Sequence, residues 1–427
     1  MDICLVAPAR VNGSTRGTPR RPPLFPSLGL MTVAALTPEQ HRVSIVDEAF
    51  GPVDPDLGAD LVGLTATTAQ APRAYEIADH FRGRGIPVVM GGMHASALPG
   101  EALLHANAVV VGEAEGLWPR VLEDFSHRRL QPLYQLADRP DPAQIPPARR
   151  DLLDLRKYVA ANTLQASRGC PFACSFCTVT EFFGGSYRTR RLEEVAAEAA
   201  TLVGEPLLFV DDNIVGSPAY ARQLFSRLAH LGKTFVAQAS TTILRWPGLI
   251  QQAGRAGCRA LFVGLESISQ QRLAESGKKF NVVTKYKELA QRLHDSGIAI
   301  VGSFMFGLDG DGPDVFDRTV EFARETKIDF AQFSIATPLP GTRLYANLSR
   351  EGRIREQDWA KYDGSRCVFE PRGMRADELE SGLRRAYRTF YLSGSMVRKL
   401  TRRDDGILSL MRREYFHRSR NWVFDML

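Results

Sequence analysis

The sequence predicts an α/β protein: an N-terminal doubly wound, Rossmann-like domain, then a partial (β/α)6 barrel, then a helical C-terminal tail. Three observations predict it. Short apolar runs alternate with helix-like stretches over the first 125 residues, a proline-rich segment follows, and from about Thr163 a second strand–helix series repeats six times. Strands alternating with helices make parallel sheets covered by helices. At 427 residues with 44% hydrophobic content, the chain can bury more than one large core.

The first strands are expected at Ile3–Val6, Val43–Val46, Leu61–Leu64, Pro87–Met90 and Ala108–Val111, with helices at Leu28–Leu36 and Ala71–Arg84. Such a sheet holds ligands at the carboxyl ends of its strands. The loops there are Thr65–Thr68, Gly91-Gly92-Met93-His94 and Gly112-Glu113-Ala114-Glu115. Neither a G-x-G-x-x-G fingerprint nor a Walker P-loop occurs, which argues against dinucleotides and nucleoside triphosphates. Prolines 132, 140, 142, 146 and 147 mark an extended connector, because proline fixes φ and removes a backbone donor. The barrel strands are expected at Thr163–Ser167, Leu207–Val210, Phe235–Ala239, Ala260–Gly264, Ile298–Phe306 and Phe330–Ile335. Six rather than eight strands favour an open barrel, with its chemistry on the loops after the strands. Leu379, Leu383, Ala386 and Phe390 recur at helical spacing in the tail. The expected units are 1–130, a linker 131–160, a barrel 161–345 and a helical region 346–427.

The net charge of +6 invites a nucleic-acid or membrane reading, yet residues 384–427 alone carry a local +7. The body is close to neutral, so nucleic acid is not an expected partner. Solvated arginines over barrel-covering helices are the plain reading of the tail, and docking of an acidic electron donor is the functional one. Tyr387, Phe390, Tyr391, Tyr415, Phe416 and Trp422 read as packing against the barrel more than as an RNA stacking platform. No stretch approaches the ~18 apolar residues of a membrane span and no signal peptide is present, so a cytoplasmic protein with reduced thiols is expected.

Half of the six cysteines fall within eight residues, as Cys170, Cys174 and Cys177 in a C-x3-C-x2-C array. Soft thiolates so close together select zinc or an iron–sulfur cluster. Structural zinc sites want four ligands, usually as two separated pairs, and Cys4, Cys258 and Cys367 are isolated. Three thiolates on one loop fit instead a cubane cluster that leaves one iron open.

This array, with aromatic Phe176 before the third cysteine, resembles the signature of the radical S-adenosylmethionine (radical SAM) superfamily. Nearly the whole chain is similar to the subgroup with an N-terminal cobalamin-binding-type domain, which includes methylases. The matching stretches are ADLVGLTATT, VVMGGMHASALP, VVGEAEG, SRGCPFACSFC, LFVDDNIVG, FVGLESIS, GSFMFGLDGD and TPLPGT. The resemblance implies that Cys170, Cys174 and Cys177 hold a 4Fe–4S cluster whose open iron chelates S-adenosylmethionine. One-electron reduction would then yield a 5′-deoxyadenosyl radical. It also implies a reducing partner such as a flavodoxin and a small-molecule substrate.

Further cofactor-binding candidates follow, each with a structural alternative. Asp211, Asp212 and Asn213 occupy the loop that in the family bonds the amino group of S-adenosylmethionine; a helix cap is the alternative. Glu266 and Ser267 end a strand and suit ribose or carboxylate contacts, or form an internal pair. Gln238 and Ser240 follow the third barrel strand, and Phe176 supports an adenine or packs in the core. Gly302 allows close approach of the adenine or belongs to an ordinary buried strand. Thr65, Thr67, Gly91 and Gly92 suit a corrin nucleotide tail or form plain turns. His94 reads as structural, and Tyr187-Arg188-Thr189-Arg190 as solvated arginines at a helix start, with binding of anionic substrate or cofactor groups as the alternative. The Asp-x-His-x-x-Gly motif of many cobalamin proteins is absent; after the first strand the chain reads Pro8-Ala9-Arg10-Val11-Asn12-Gly13.

The leading expectation is a radical SAM biosynthetic enzyme that methylates an unactivated carbon with cobalamin. The alternatives are a cobalamin-independent dehydration, epimerisation or rearrangement resembling the aminoglycoside diol dehydratases and, more remotely, a non-enzymatic cluster or cobalamin sensor.

Overall fold

The computed structural model describes residues 1–10, 25–204 and 206–392. The basic tail beyond Leu392, with Tyr415, Phe416 and Trp422, and the loop residues Val11, Asn12 and Gly13 lie outside the described residues. No helix among the described residues is long and apolar enough to cross a membrane.

The first sheet consists of β1 (Asp2–Ala7), β2 (Arg42–Asp47), β3 (Leu61–Thr65), β4 (Val88–Gly91), β5 (Ala108–Val111) and β6 (Leu133–Gln135). All are parallel, in the order β2-β1-β3-β4-β5-β6. Strands covered on both faces read as unbroken apolar runs, and Ile3, Cys4, Leu5 and Val6 are each at most 2% exposed. β1 has neighbours on both sides reached by opposite crossovers, which opens a crevice at the carboxyl ends of β1 and β3. β6 lies inside the stretch expected to be an extended connector. It is an edge strand of three residues in which only Tyr134 is buried, its hydroxyl donating to Asp124 Oδ2 at 3.0 Å. One buried tyrosine among prolines carries no readable period.

The second unit contains β7 (Thr163–Leu164), β8 (Ser167–Arg168), β9 (Arg188–Thr189), β10 (Leu207–Phe209), β11 (Phe235–Ala239), β12 (Cys258–Glu266), β13 (Ala299–Phe306) and β14 (Phe330–Ile335). Six of these form an open parallel sheet in the order β7-β10-β11-β12-β13-β14. The expected strand Thr163–Ser167 is broken. β7 pairs with β10, then the chain leaves the sheet, and β8 pairs antiparallel with β9 in a two-stranded ribbon.

Register decides which side chains face the barrel interior. Gln238, Phe262 and Val301 are partners across β11, β12 and β13, and Gly264, Ser303 and Gln332 form the next row on the same face. Gly302 has the opposite parity. A Cβ there would meet Leu265 Cδ1 at 3.1 Å and Ile328 Cγ2 at 3.2 Å, so this glycine faces the core under the covering helices. The adenine contact expected of its side of the strand is corrected accordingly.

The helix Ala376–Tyr391 buries Leu379, Leu383, Ala386 and Phe390, the residues whose spacing predicted it. It also closes the β14 edge. Tyr391 Oη accepts from Ala331 N at 2.9 Å and donates to Ala331 O at 2.8 Å, and Tyr387 Oη does the same with Phe333 N and O at 3.0 and 2.8 Å. Two hydroxyls four residues apart thus take the ladder positions of a missing strand. Tyr391→Phe orphans both polar groups of a buried residue, and unfolding by denaturant is expected to show a loss of about 1–3 kcal/mol.

Candidate active site at the facing ends of two sheets

The cysteine loop starts where β7 departs from the sheet. That departure frees backbone donors in the interior, and Asp211, fully buried, accepts them: Ala166 N at 3.0 Å and Ser167 N at 2.5 Å, with the Ser167 hydroxyl on the same carboxylate. Burial pushes the Asp211 carboxyl up to about 6 while these donors oppose the shift. Its oxygens are occupied, so Asp211 braces the loop and does not reach the site mouth. Gly169 follows with φ +82°, and a Cβ there would lie 2.0 Å from Ser186 O, so the turn into Cys170 requires glycine.

Cys170, Cys174 and Cys177 are half-buried on this one loop. Its backbone is tied through Ser175, whose N donates to Ser276 O at 2.9 Å and whose O accepts from Leu344 N at 2.8 Å. Phe172 stacks on Phe280 with ring centres 3.7 Å apart, and Arg343 donates to Ala173 O. Burial pushes the Cys177 thiol up to about 12, and raises Cys170 and Cys174 as well.

Other expected residues divide into two groups. Asn213 joins the loop to the sheet, since Nδ2 points at Cys170 Sγ (3.9 Å) and Oδ1 accepts from Ser240 N at 3.0 Å. Asp212 accepts from Gly169 N at 3.2 Å, and burial pushes its carboxyl up to about 6. Glu266 ends β12 at a register shift, with φ +63°, a strained value for a side-chain-bearing residue. Its partner is Lys278, with Nζ 2.7 Å from Glu266 Oε1 and 5.8 Å from the Phe176 ring centre. Burial opposes the Lys278 charge, but Glu266 and the Cys174 thiol hold its pKa above the ordinary value. Phe176 packs partly buried on the core, and Gln238 faces inward. The Ser240 hydroxyl, by contrast, shares a hydrogen bond with the Thr242 hydroxyl at 2.6 Å, and Ser267 Oγ caps Ser269 N at 3.1 Å as a turn would.

Above the first sheet lies a cavity of about 250 Å³ whose wall includes Thr65, Gly91, Gly92, Gly112, Arg168 and Phe183. Gly92 has φ +90°, and a Cβ there would sit 2.5 Å from Thr65 Oγ1. Thr67 is exposed instead and caps a turn, donating from Oγ1 to Gln70 Oε1 at 2.8 Å. His94 is buried and structural, with Nε2 3.0 Å from Tyr75 Oη. The cavity also touches the second unit, so the carboxyl ends of the two sheets face each other across it; helix Gly92–Ala97 meets the helix Thr178–Phe183 that follows Cys177.

Sequence reasoning missed two features. Lys278 lies in an unremarkable Gly277-Lys278-Lys279 run, and only the fold brings it to the cysteines. Arg188 and Arg190 are not solvated: Arg188 pairs with Glu113 and Arg190 Nη1 lies 2.6 Å from Glu198 Oε2, with side chains 17% and 6% exposed.

Two family models match this arrangement: the radical SAM superfamily over residues 164–323 and the B12 binding domain over residues 21–122. The chain belongs to the radical SAM superfamily, in the group that carries an N-terminal B12-binding domain. It is 32% identical over 385 residues to bacteriochlorophyllide d C-12(1)-methyltransferase of Chlorobaculum tepidum, a match spanning 87% of this chain and 84% of that one. It is 34% identical over 371 residues to the C-8(2)-methyltransferase of the same organism, spanning 82% and 81%. Its fold is similar to that of the radical SAM methyltransferase TsrM from Kitasatospora setae, solved with cobalamin and a 4Fe–4S cluster, at TM-score 0.71 and 17% identity over 98% and 99% of the two chains. The protein is therefore a radical SAM enzyme, whose cofactors are a 4Fe–4S cluster, S-adenosylmethionine and cobalamin.

Removing one member of a buried ion pair strands the other. Lys278→Met is expected to cost about 3 kcal/mol in chemical unfolding, with part of the loss recovered in Lys278→Met/Glu266→Gln. Full additivity in that cycle would show that the two groups do not act as a pair.

Proposed function

We propose that this enzyme transfers a methyl group to an unactivated carbon of a small molecule, using cobalamin. The observation that carries the reading is its similarity, over more than four-fifths of the chain, to two bacteriochlorophyllide methyltransferases at 32% and 34% identity. Those relatives speak for methylation over a cobalamin-free dehydration or rearrangement.

Cys170, Cys174 and Cys177 would hold the cluster. Three half-buried thiols on one braced loop suit it. The glycine-walled cavity suits a cofactor portion that must approach backbone closely, through Thr65, Gly91, Gly92 and Gly112. When bound, the cluster with S-adenosylmethionine supplies a 5′-deoxyadenosyl radical, and cobalamin supplies the methyl group.

The chain's own residues bind and orient. Lys278 and Glu266 present a cation and a carboxylate side by side, complementary to a zwitterionic amino-acid end, and Asp212 adds a second carboxylate for the ammonium. Asn213 directs an N–H at the Cys170 sulfur and so favours its thiolate. Gln238, Ser303 and Gln332 line the interior face where a substrate would meet the radical. The local +7 of residues 384–427 supports an acidic one-electron donor such as a flavodoxin.

Protein purified without oxygen from cobalamin-fed cells is expected to carry corrin absorbance beside iron–sulfur bands, and to form 5′-deoxyadenosine on reduction. Cys174→Ala should lose both the cluster bands and that product. Intact cluster without corrin under those conditions would overturn the cobalamin reading, and an unaffected Cys174→Ala would overturn the ligand assignment.

A further inference from the structure

Four charged side chains are buried where the two units meet, and the catalytic reading uses none of them. Glu113 and Glu115 stand on the loop after β5, at the carboxyl edge of the first sheet. Arg168 and Arg188 are register partners on β8 and β9. The side chains of Glu113, Arg168, Glu115 and Arg188 are 1%, 9%, 11% and 17% exposed. Arg168 Nη1 lies 2.6 Å from Glu113 Oε1, its Nη2 bonds Glu115, and its Nε donates to Gln165 Oε1 at 3.1 Å. Arg188 takes the second oxygen of Glu113 through Nη2, donates through Nη1 to Pro140 O, and through Nε to Ser186 Oγ at 3.2 Å. One carboxylate thus bridges two guanidiniums, the charges sum to zero, and every Arg168 and Arg188 nitrogen has a partner.

The position of this cluster gives it meaning. Arg168 lies two residues before Cys170, and Arg168, Glu113 and Glu115 also wall the cavity bounded by Gly91 and Gly92. Arg139, outside the cluster, fills the space beside Gly112 and Gly184, where a Cβ would lie 2.8 and 2.9 Å from its guanidinium nitrogens. A buried network of this kind adds little to stability over well-packed apolar groups, but unlike them it is directional, because the planar guanidinium of Arg168 holds Glu113 and Glu115 on two fixed N–H directions while Glu113 bridges to Arg188.

We propose that Arg168, Arg188, Glu113 and Glu115 form an ionic latch that fixes the distance and orientation of the cysteine loop relative to the cofactor crevice. They are positioning residues; none is required to touch substrate. The role rests on the methylation reading, in which groups held by the two units must reach one carbon, and an error of about 1 Å in such an arrangement costs about a hundredfold in rate.

The test uses the full-length protein and the variants Arg168→Met, Arg168→Lys and Glu115→Gln. Hydrogen exchange, read on protein without corrin, is expected to rise about tenfold in residues 112–116 and 166–170 of Arg168→Met, with β1 and β12 unchanged. Glu115→Gln should show a smaller rise in the same segments, and Arg168→Lys an intermediate one, since an ammonium cannot bridge both carboxylates in the same plane. In protein holding both cofactors, the enhancement of cob(II)alamin spin relaxation by the reduced cluster should fall in Arg168→Met while iron content stays unchanged. A purely stabilising role would leave that spin interaction at its wild-type value. Unchanged exchange and unchanged spin interaction in Arg168→Met overturn the latch, and if that variant does not fold, wild-type behaviour of Glu115→Gln overturns it. Failure of the wild-type protein to bind corrin would overturn the methylation reading, and the corrin-free exchange result would still decide whether the latch holds the two loops.

Discussion

A strand that leaves its sheet after two residues must dispose of the backbone groups it abandons, and the cysteine loop hangs from such a strand. Burial makes an unpaired N–H expensive. One carboxylate resolves the problem: Asp211, with no exposed surface, collects the donors of Ala166 and Ser167 and lets the chain turn out into the β8–β9 ribbon. The turn into Cys170 at Gly169, the pairing of Arg168 with Arg188, and the approach of Asn213 to Cys170 all follow from that departure. Its cost is visible as well. Burial works against the charge of Asp211, and only the converging donors oppose it.

Much of the fold was legible because buried parallel strands announce themselves as apolar runs. β5, β11 and β14 occupy the expected residues, β3 differs by one residue at one end, and β1, β2 and β4 differ by one residue at each end. The tail helix was legible from its 3.6-residue period. What was not legible depended on partners distant in sequence. β6 is a strand only because β5 offers an edge, and β7 stops early only because Asp211 waits on another loop. The parity of β13 could not be read from Gly302 alone: adjacent glycine, serine and phenylalanine are all buried, and only the register with Val263 and Ala331 shows which face each takes.

The candidate site divides along the same line. The C-x3-C-x2-C spacing is local chemistry and needed no fold to be recognised. Asp211-Asp212-Asn213 could be placed on a loop but not resolved into its separate tasks, because alternating side chains of one short loop point to different neighbours. Asp211 goes to the strand behind, Asp212 to the Gly169 amide and Asn213 to Cys170 and Ser240. Lys278 had no local signal at all. Its partner Glu266 is 12 residues away and held at positive φ by a bulge that only the β12–β13 register reveals.

The same physics explains why charge is buried between the units instead of being solvated on their surfaces. Both sheets end their strands toward the shared crevice, and carboxyl ends of parallel strands leave carbonyl oxygens and loop backbone facing one another. Two apolar surfaces there would bury area without favouring a particular separation, since the hydrophobic effect is non-directional. Hydrogen-bonded charge is directional, and across this boundary Trp359 Nε1 donates to Glu101 Oε1 at 2.8 Å in addition to the arginine pairs, while Tyr158 Oη ties the connector to Asp47 Oδ2 at 2.8 Å. Glu101 also accepts from Tyr75 Oη, so the tryptophan is bound into the helices of the first unit and not merely laid on its surface. Each contact joins residues far apart in the chain, and each replaces water around a polar group with one geometrically demanding partner. An interface built this way favours one relative placement of the two units, which suits units that must present bound groups to each other at a set distance.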